Sequence, residues 1–304
     1  MSLRPVLQSD RFVVTGEVGP PKGTNMEHVL EEARLLAPLV DGVNVTDIQA
    51  AAMRVGSMAT CHLIRDAGAE PVLQMVCRDR NRLALQSDLL SAWVLGIESV
   101  LCLTGDHPTL GDHKGAKPVY DLDSVQLLQV ARGLNEGHDM MGNELEGKPD
   151  FCLGAVVTPG ANPQEMQILK LEKKVAAGAE FIQTQAVYDV PAFAEFMEKI
   201  RHLQVPILAG IVLLKSAGMA RYMNANVAGV TVPDNLIEEM AEAGKKDKAA
   251  KAEGKKAEHV VDASIEIAAR LIRELKPLCR GVHIMPLGWG HHVPTVLERA
   301  GLKR

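Results

Sequence analysis

The chain has 304 residues, of which 47% are hydrophobic and 23% charged, with a formal net charge of -5. That composition is ordinary for a globular protein and provides a large apolar core, which excludes global disorder and low-complexity classes. The acidic balance and an aromatic content of only 3% argue against a nucleic-acid surface.

Short apolar runs alternate with longer amphipathic ones along the chain. Strand-like runs are expected at 12–17 (FVVTGE), 42–46 (GVNVT), 71–77, 99–104 (SVLCLT), 151–157, 181–187, 206–214 and 281–287. Each is followed by a helical pattern, near 25–39, 55–67, 80–95, 124–134, 163–177, 191–202, 217–224 and 294–300. Strands of this length without polar alternation are buried on both faces, as in a parallel sheet. Eight strand-then-helix units predict an α/β fold of the (β/α)8 TIM-barrel type, as a single domain over residues 1–304. A doubly wound sheet is the runner-up, but no G-x-G-x-x-G follows the first strand. Gly68, Gly96 and Gly178 fit left-handed caps that end helices before the next strand.

One stretch breaks the rhythm. Residues 234–276 carry too much chain for one link and read as a helical insertion before the last strand. Its Lys-rich tract 245–256 (KKDKAAKAEGKK) reads as a solvated helix surface, with docking of an acidic partner as the alternative. Cys61, Cys77, Cys102, Cys152 and Cys279 are odd in number and lack close spacing, so neither a metal site nor a disulfide framework is expected. A reduced, cytoplasmic compartment is the simplest expectation. Residues 1–11 hold no apolar signal core, and the longest apolar run, 206–214, is far too short for a membrane span.

In a barrel the chemistry sits at the C-terminal ends of the strands. The polar residues expected there are Glu17, Thr46, Asp47, Gln74, Thr104, Asp106, Thr158, Gln183, Gln185, Lys215, Trp289, His291 and His292. Neutral amides with few acids suit recognition of a planar, hydrogen-bonding ligand and one proton transfer. Glu17 ends an apolar strand, and desolvation disfavours a carboxylate, so an acid placed there suits proton donation. Asp106 follows Gly105, which lets a ligand approach the backbone, and an acid there could tune a bound heterocycle. Taken alone, each acid also fits a plain structural role, Glu17 as a strand-end cap and Asp106 as a turn former.

The segments TGEVGPPKG (15–23), NVTD (44–47), LTGDHP (103–108), KPVY (117–120), TPGANP (158–163) and LEKKVAAGAEFIQTQAVYD (171–189) together resemble the methylenetetrahydrofolate reductase family. The resemblance covers about residues 12–302. It implies transfer of hydride from a reduced flavin, FAD or FMN, to 5,10-methylenetetrahydrofolate, giving 5-methyltetrahydrofolate. By the same resemblance Glu17 is the general acid, and Asp106 hydrogen-bonds the pterin beside the flavin. Gln185 contacts folate. The implied flavin contacts are Thr46, Gln74, Leu103, Thr104, Gly105, Asp106, Tyr120, Thr158, Asn162 and Lys174.

The chain departs from the family pattern at several positions. Gln74 stands where a flavin-binding His is usual, and Thr104 stands for an Arg. Thr158 and Asn162 replace an aromatic residue and a His. Met219 and Met223 replace the Gln and Phe of forms that use NAD(P)H, and Trp289 stands for an Arg that meets the folate glutamate. The expected electron donor is therefore either NAD(P)H or an iron–sulfur partner protein, within an oligomer or hetero-complex. Five scattered cysteines cannot hold a cluster in this chain itself. Two other readings are a non-catalytic flavin- or folate-binding subunit, and a Schiff-base barrel enzyme using Lys215.

Overall fold

In the computed structural model, which describes residues 3–302, eight parallel strands hydrogen-bond in sequence order and close on themselves. They are β1 (Val13–Val18), β2 (Gly42–Val45), β3 (Pro71–Val76), β4 (Ser99–Leu103), β5 (Cys152–Val157), β6 (Phe181–Ala186), β7 (Ile207–Val212) and β8 (Gly281–Met285). The helices are α1 (Arg4–Gln8), α2 (Glu27–Leu36), α3 (Ser57–Asp66), α4 (Arg82–Val94), α5 (Ser124–Glu136) and α6 (Gln164–Ala176). They continue with α7 (Val190–Ile200), α8 (Ala217–Asn226), α9 (Asp234–Ala252), α10 (His259–Leu275) and α11 (Val293–Arg299). The β8–β1 ladder, with Val13 opposite Gly281 and Thr15 opposite His283, closes the ring and rules out the doubly wound alternative.

The strands are apolar without alternation because both of their faces are covered. Outward side chains pack under the helices and inward ones fill the lumen. At the N-terminal end the lumen is apolar, with Val13, Val72, Leu101, Cys152, Phe181 and Leu208 in one cluster. Leu3 and Leu7 of the α1 segment plug this end, both buried. The plug is pinned by Arg4, whose Nε lies 2.6 Å from Glu180 and whose Nη2 donates to the Phe151 carbonyl at 2.7 Å. The sequence reading had not anticipated α1. Gly154 makes room for the Phe181 ring, since a Cβ there would lie 2.2 Å from its Cζ.

Three helices separate β7 from β8. α10 packs on β7 between α7 and α11 and so occupies the ring position, whereas α9 lies outside on α8 and α10. The 234–276 stretch divides between the two. The second half of α9 carries Lys245, Lys246, Lys248 and Lys251 into solvent. Asp247 ties it down by accepting the backbone N–H of His259 at 2.8 Å and of Val260 at 3.2 Å, at the start of α10. Among the described residues no helix is long and apolar enough to cross a membrane.

Candidate active site

A cavity of about 380 Å³ opens at the C-terminal end of the barrel, a volume suited to a small-molecule site. Its floor is a polar layer buried in the lumen. Asn44 of β2 and Gln183 of β6 exchange amide hydrogen bonds across the barrel, at 2.9 and 3.1 Å. Gln183 Nε2 also donates to Thr15 Oγ1 at 3.3 Å, and Thr15 Oγ1 lies 2.9 Å from His283 Nδ1. All four side chains are essentially buried, and each has a partner, which is the condition for a stable polar layer.

Glu17 stands on this floor, 9% exposed and lining the cavity. Its Oε2 accepts from Gln74 Nε2 at 3.1 Å and lies 3.5 Å from His283 Nε2. Thr15 Oγ1 thus bridges Gln183 and His283 Nδ1, and the other imidazole nitrogen faces Glu17. The carboxyl therefore has an amide and an imidazole behind it, and one edge toward the cavity. The arrangement fixes the carboxyl and presents it to a bound ligand, the placement a proton donor needs.

The wall beyond Glu17 is built from β3 to β5. Gln74, Leu103, Thr104, Gly105, Asp106, Thr158 and Lys174 all line the cavity. Gly105 has φ +91°, where a side chain would be strained, and a Cβ would lie 3.0 Å from Val76 Cβ. Thr104 Oγ1 accepts the Ser124 N–H at 3.2 Å, at the start of α5. Tyr120 lies just outside and donates to the Gly105 carbonyl at 3.2 Å. Lys174 is 8% exposed, its Nζ donates to the Val156 carbonyl at 2.7 Å, and burial lowers its pKa to about 8. Thr46, expected to touch the flavin, is buried outside the cavity lining, and its hydroxyl finds no hydrogen-bond partner among the described residues.

β6 reaches the mouth through a register irregularity between Gln183 and Ala186. Such bulges re-aim a side chain, and here the re-aimed residue is Gln185, which lines the cavity. The bulge is locked by Thr184, whose Oγ1 donates to the Gln185 carbonyl at 2.7 Å and accepts the Gly210 N–H at 2.9 Å. Gly210 is required beside it, because a Cβ would lie 2.4 Å from the Thr184 carbonyl oxygen.

Other expected residues lie apart from this cavity. Asn162 is exposed, on the loop after β5. Met223 is 7% exposed within the core and packs on the Tyr188 hydroxyl. Met219 is half-buried, its Sδ accepting the Lys215 N–H at 3.4 Å. Trp289 is on the rim, in edge contact with His292 and with Lys215 Nζ 5.2 Å from its ring centre. Lys215 Nζ itself donates to the Leu287 carbonyl, and the lysine inside the cavity is Lys174. His291 and His292 lie against each other on the same rim, with ring centres 3.9 Å apart and planes tilted by 47°.

Sequence reasoning missed His283, Thr15, Asn44 and two arginines. A histidine within the apolar strand GVHIM, and the charge run RDRNR directly after β3, were the available signals. Arg80 pairs with Asp47, whose side chain is fully buried, at 2.7 Å, and Asp47 also accepts the Val76 N–H at 3.0 Å. Arg78 lines the cavity and is 2% exposed.

Fold and site define a (β/α)8 barrel protein with a buried acid–amide–imidazole group at its mouth. The family model for methylenetetrahydrofolate reductase matches residues 2–301, and the chain belongs to that family. It is 27% identical over 246 residues to methylenetetrahydrofolate reductase 2 of Schizosaccharomyces pombe, covering 76% of this chain and 35% of that protein. It is 26% identical over 232 residues to 5,10-methylenetetrahydrofolate reductase of Pectobacterium carotovorum, covering 74% of this chain and 71% of that protein. The match thus spans about a third of the length of the yeast relative. Among solved structures, a Clostridium thermocellum protein described as binding two copies of 5-methyl-5,6,7,8-tetrahydrofolic acid shares the fold. Its TM-score is 0.64 at 15% identity, over 99% of this chain and 98% of that one.

Proposed function

We propose that the chain is a flavin-dependent reductase that converts 5,10-methylenetetrahydrofolate to 5-methyltetrahydrofolate. The observation that carries this reading is Glu17, a buried acid backed by Gln74 and His283 and presented to the cavity. Family membership supplies the substrate class, and the methyltetrahydrofolate-binding neighbour supports it. In this reading Glu17 protonates the bridging nitrogen of the folate so that its five-membered ring opens. Gln74 and His283 hold the Glu17 carboxyl in place against the cavity. Asp106 and Gln185 recognise the pterin edge, and the amide floor excludes water beneath it.

The residues present fit a flavin. The bare Gly105 backbone and the buried Lys174 ammonium, both lining the cavity, offer donors for a heterocycle and a phosphate. Thr104 and Thr158 complete that wall. A bound FAD or FMN would supply the hydride. The electron donor we favour is an iron–sulfur partner protein rather than free NAD(P)H. Met219 is tied to the Lys215 backbone and Met223 is in the core, so neither offers an aromatic platform for a nicotinamide. Exposed Leu83 and Val94 on α4, and Met141 in the loop that Met140 ties to Gln86 of α4, offer apolar surface to another subunit. A reduced cytoplasmic setting completes the reading.

Anaerobic absorbance spectroscopy tests it. The purified chain is expected to be yellow or to take up added flavin. Its flavin is expected to resist bleaching by micromolar NADH. A colourless protein that ignores flavin would overturn the flavin reading, and rapid bleaching would overturn the choice of donor.

A further inference from the structure

Arg78 sits where three segments of chain meet at the C-terminal end of β3. Its guanidinium donates from Nη1 to the Asp106 carbonyl at 3.1 Å and from Nη2 to the Ile48 carbonyl at 3.2 Å. Asp79 grips the other edge, with Nε at 2.9 Å and Nη2 at 2.8 Å. The Arg78 carbonyl in turn accepts the Val119 N–H at 2.7 Å. One residue therefore holds the loop after β2 and both ends of the long loop after β4.

The loop after β2 needs such support. Ile48, Ala50 and Ala51 have φ of +47°, +53° and +55°, left-handed values that are costly for side-chain-bearing residues and most of all for a β-branched one. Strained runs persist only where their surroundings over-determine them, and they gather at functional sites. Ile48 and Ala50 line the same cavity as Asp106. The two loops also press together directly, since a Cβ on Gly111 would lie 1.9 Å from the Ala51 carbonyl oxygen. On the outer side Asp112 accepts the Met53 N–H at 3.0 Å and pairs with Lys22.

We propose that Arg78 is a positioning residue: its planar fork sets where Asp106 enters the cavity and fixes the left-handed wall 48–51 beside it. An ammonium cannot replace it, because a lysine has no rigid fork to span two carbonyls. The structural half of the proposal stands on the geometry alone. The half that concerns folate rests on the function proposed above.

The test pairs hydrogen exchange with a double-mutant cycle on the full chain. In ligand-free Arg78→Lys, amides in both 47–53 and 106–120 are expected to exchange about tenfold faster or more, with β7 unchanged. Asp79→Ala, which frees one edge of the fork, is expected to accelerate the same two segments less, and it decides the matter if Arg78→Lys does not fold. Binding of 5-methyltetrahydrofolate is expected to weaken about tenfold in Arg78→Lys, with no further loss when Arg78→Lys is added to Asp106→Asn. Unchanged exchange, acceleration of one segment only, or effects that multiply in the double variant would overturn the proposal. A wild-type chain that binds no folate would overturn the function reading, while the exchange result still decides the role of Arg78.

Discussion

Lys174 carries its ammonium in a place that opposes charge, and that has consequences for both binding and stability. Burial lowers its pKa to about 8, below that of an unfolded lysine. Between about pH 8 and 10.4 the unfolded chain binds more protons than the folded one, so this group makes the fold more stable as pH rises through that window. An anion at the site behaves in the opposite way, since it loses its partner as the ammonium deprotonates. Flavin affinity, followed by fluorescence quenching, is expected to fall above about pH 8, by up to about tenfold per pH unit. Lys174→Met is expected to bind flavin more weakly at pH 7 and to show no such slope; a slope that survives the substitution would remove Lys174 from the site. At this scale Glu17 and Gln185 were legible because each is a polar residue near the end of an apolar run, whereas Gln74 interrupts PVLQMV and Lys174, on α6, came only from the family resemblance. His283 was not, because it lies one turn of the pleat deeper, where a single polar residue looks like a packing exception. Its meaning depends on Thr15, Gln183 and Asn44, which come from three other strands.

The strands and ring helices were readable as elements because burial on both faces leaves an unbroken apolar signature. Gly68, Gly96 and Gly178 do take left-handed conformations at helix ends, with φ of +93°, +75° and +112°. The bulge in β6 was not readable, because FIQTQA holds no Gly or Pro to mark an irregularity and the shift depends on how Gly210 of the neighbouring strand admits it. Gly210→Ala tests that dependence. The new methyl would meet two backbone carbonyls, of Thr184 at 2.4 Å and of Gln185 at 2.9 Å, and neither can swing away. A loss of about 3 kcal/mol in urea unfolding is expected, at the upper end for overpacking, together with weakened folate binding through Gln185. Unaltered stability and binding would show that the bulge does not depend on the glycine.

The molecule as a whole is a barrel with an apolar end sealed by α1 and a polar end that opens to ligands. The seal escaped sequence reasoning because RPVLQ is too short to show a helical period. Its value lies in long-range contacts, from Leu3 and Leu7 to the lumen and from Arg4 to Glu180. Removing residues 1–9 is expected to lower stability by roughly 3–6 kcal/mol, from about 1.5–3 kcal/mol for each buried leucine, and to lower the urea midpoint accordingly. An unchanged midpoint would mean that the lumen closes without the plug. At the opposite end everything converges on whether Glu17 delivers the proton that lets folate accept a hydride. The most direct measurement is anaerobic single-turnover oxidation of the photoreduced flavoprotein by 5,10-methylenetetrahydrofolate. Glu17→Gln is expected to keep its flavin reducible while the folate-dependent oxidation slows by about 10²–10⁴-fold. Oxidation by folate at the wild-type rate in Glu17→Gln would contradict the account.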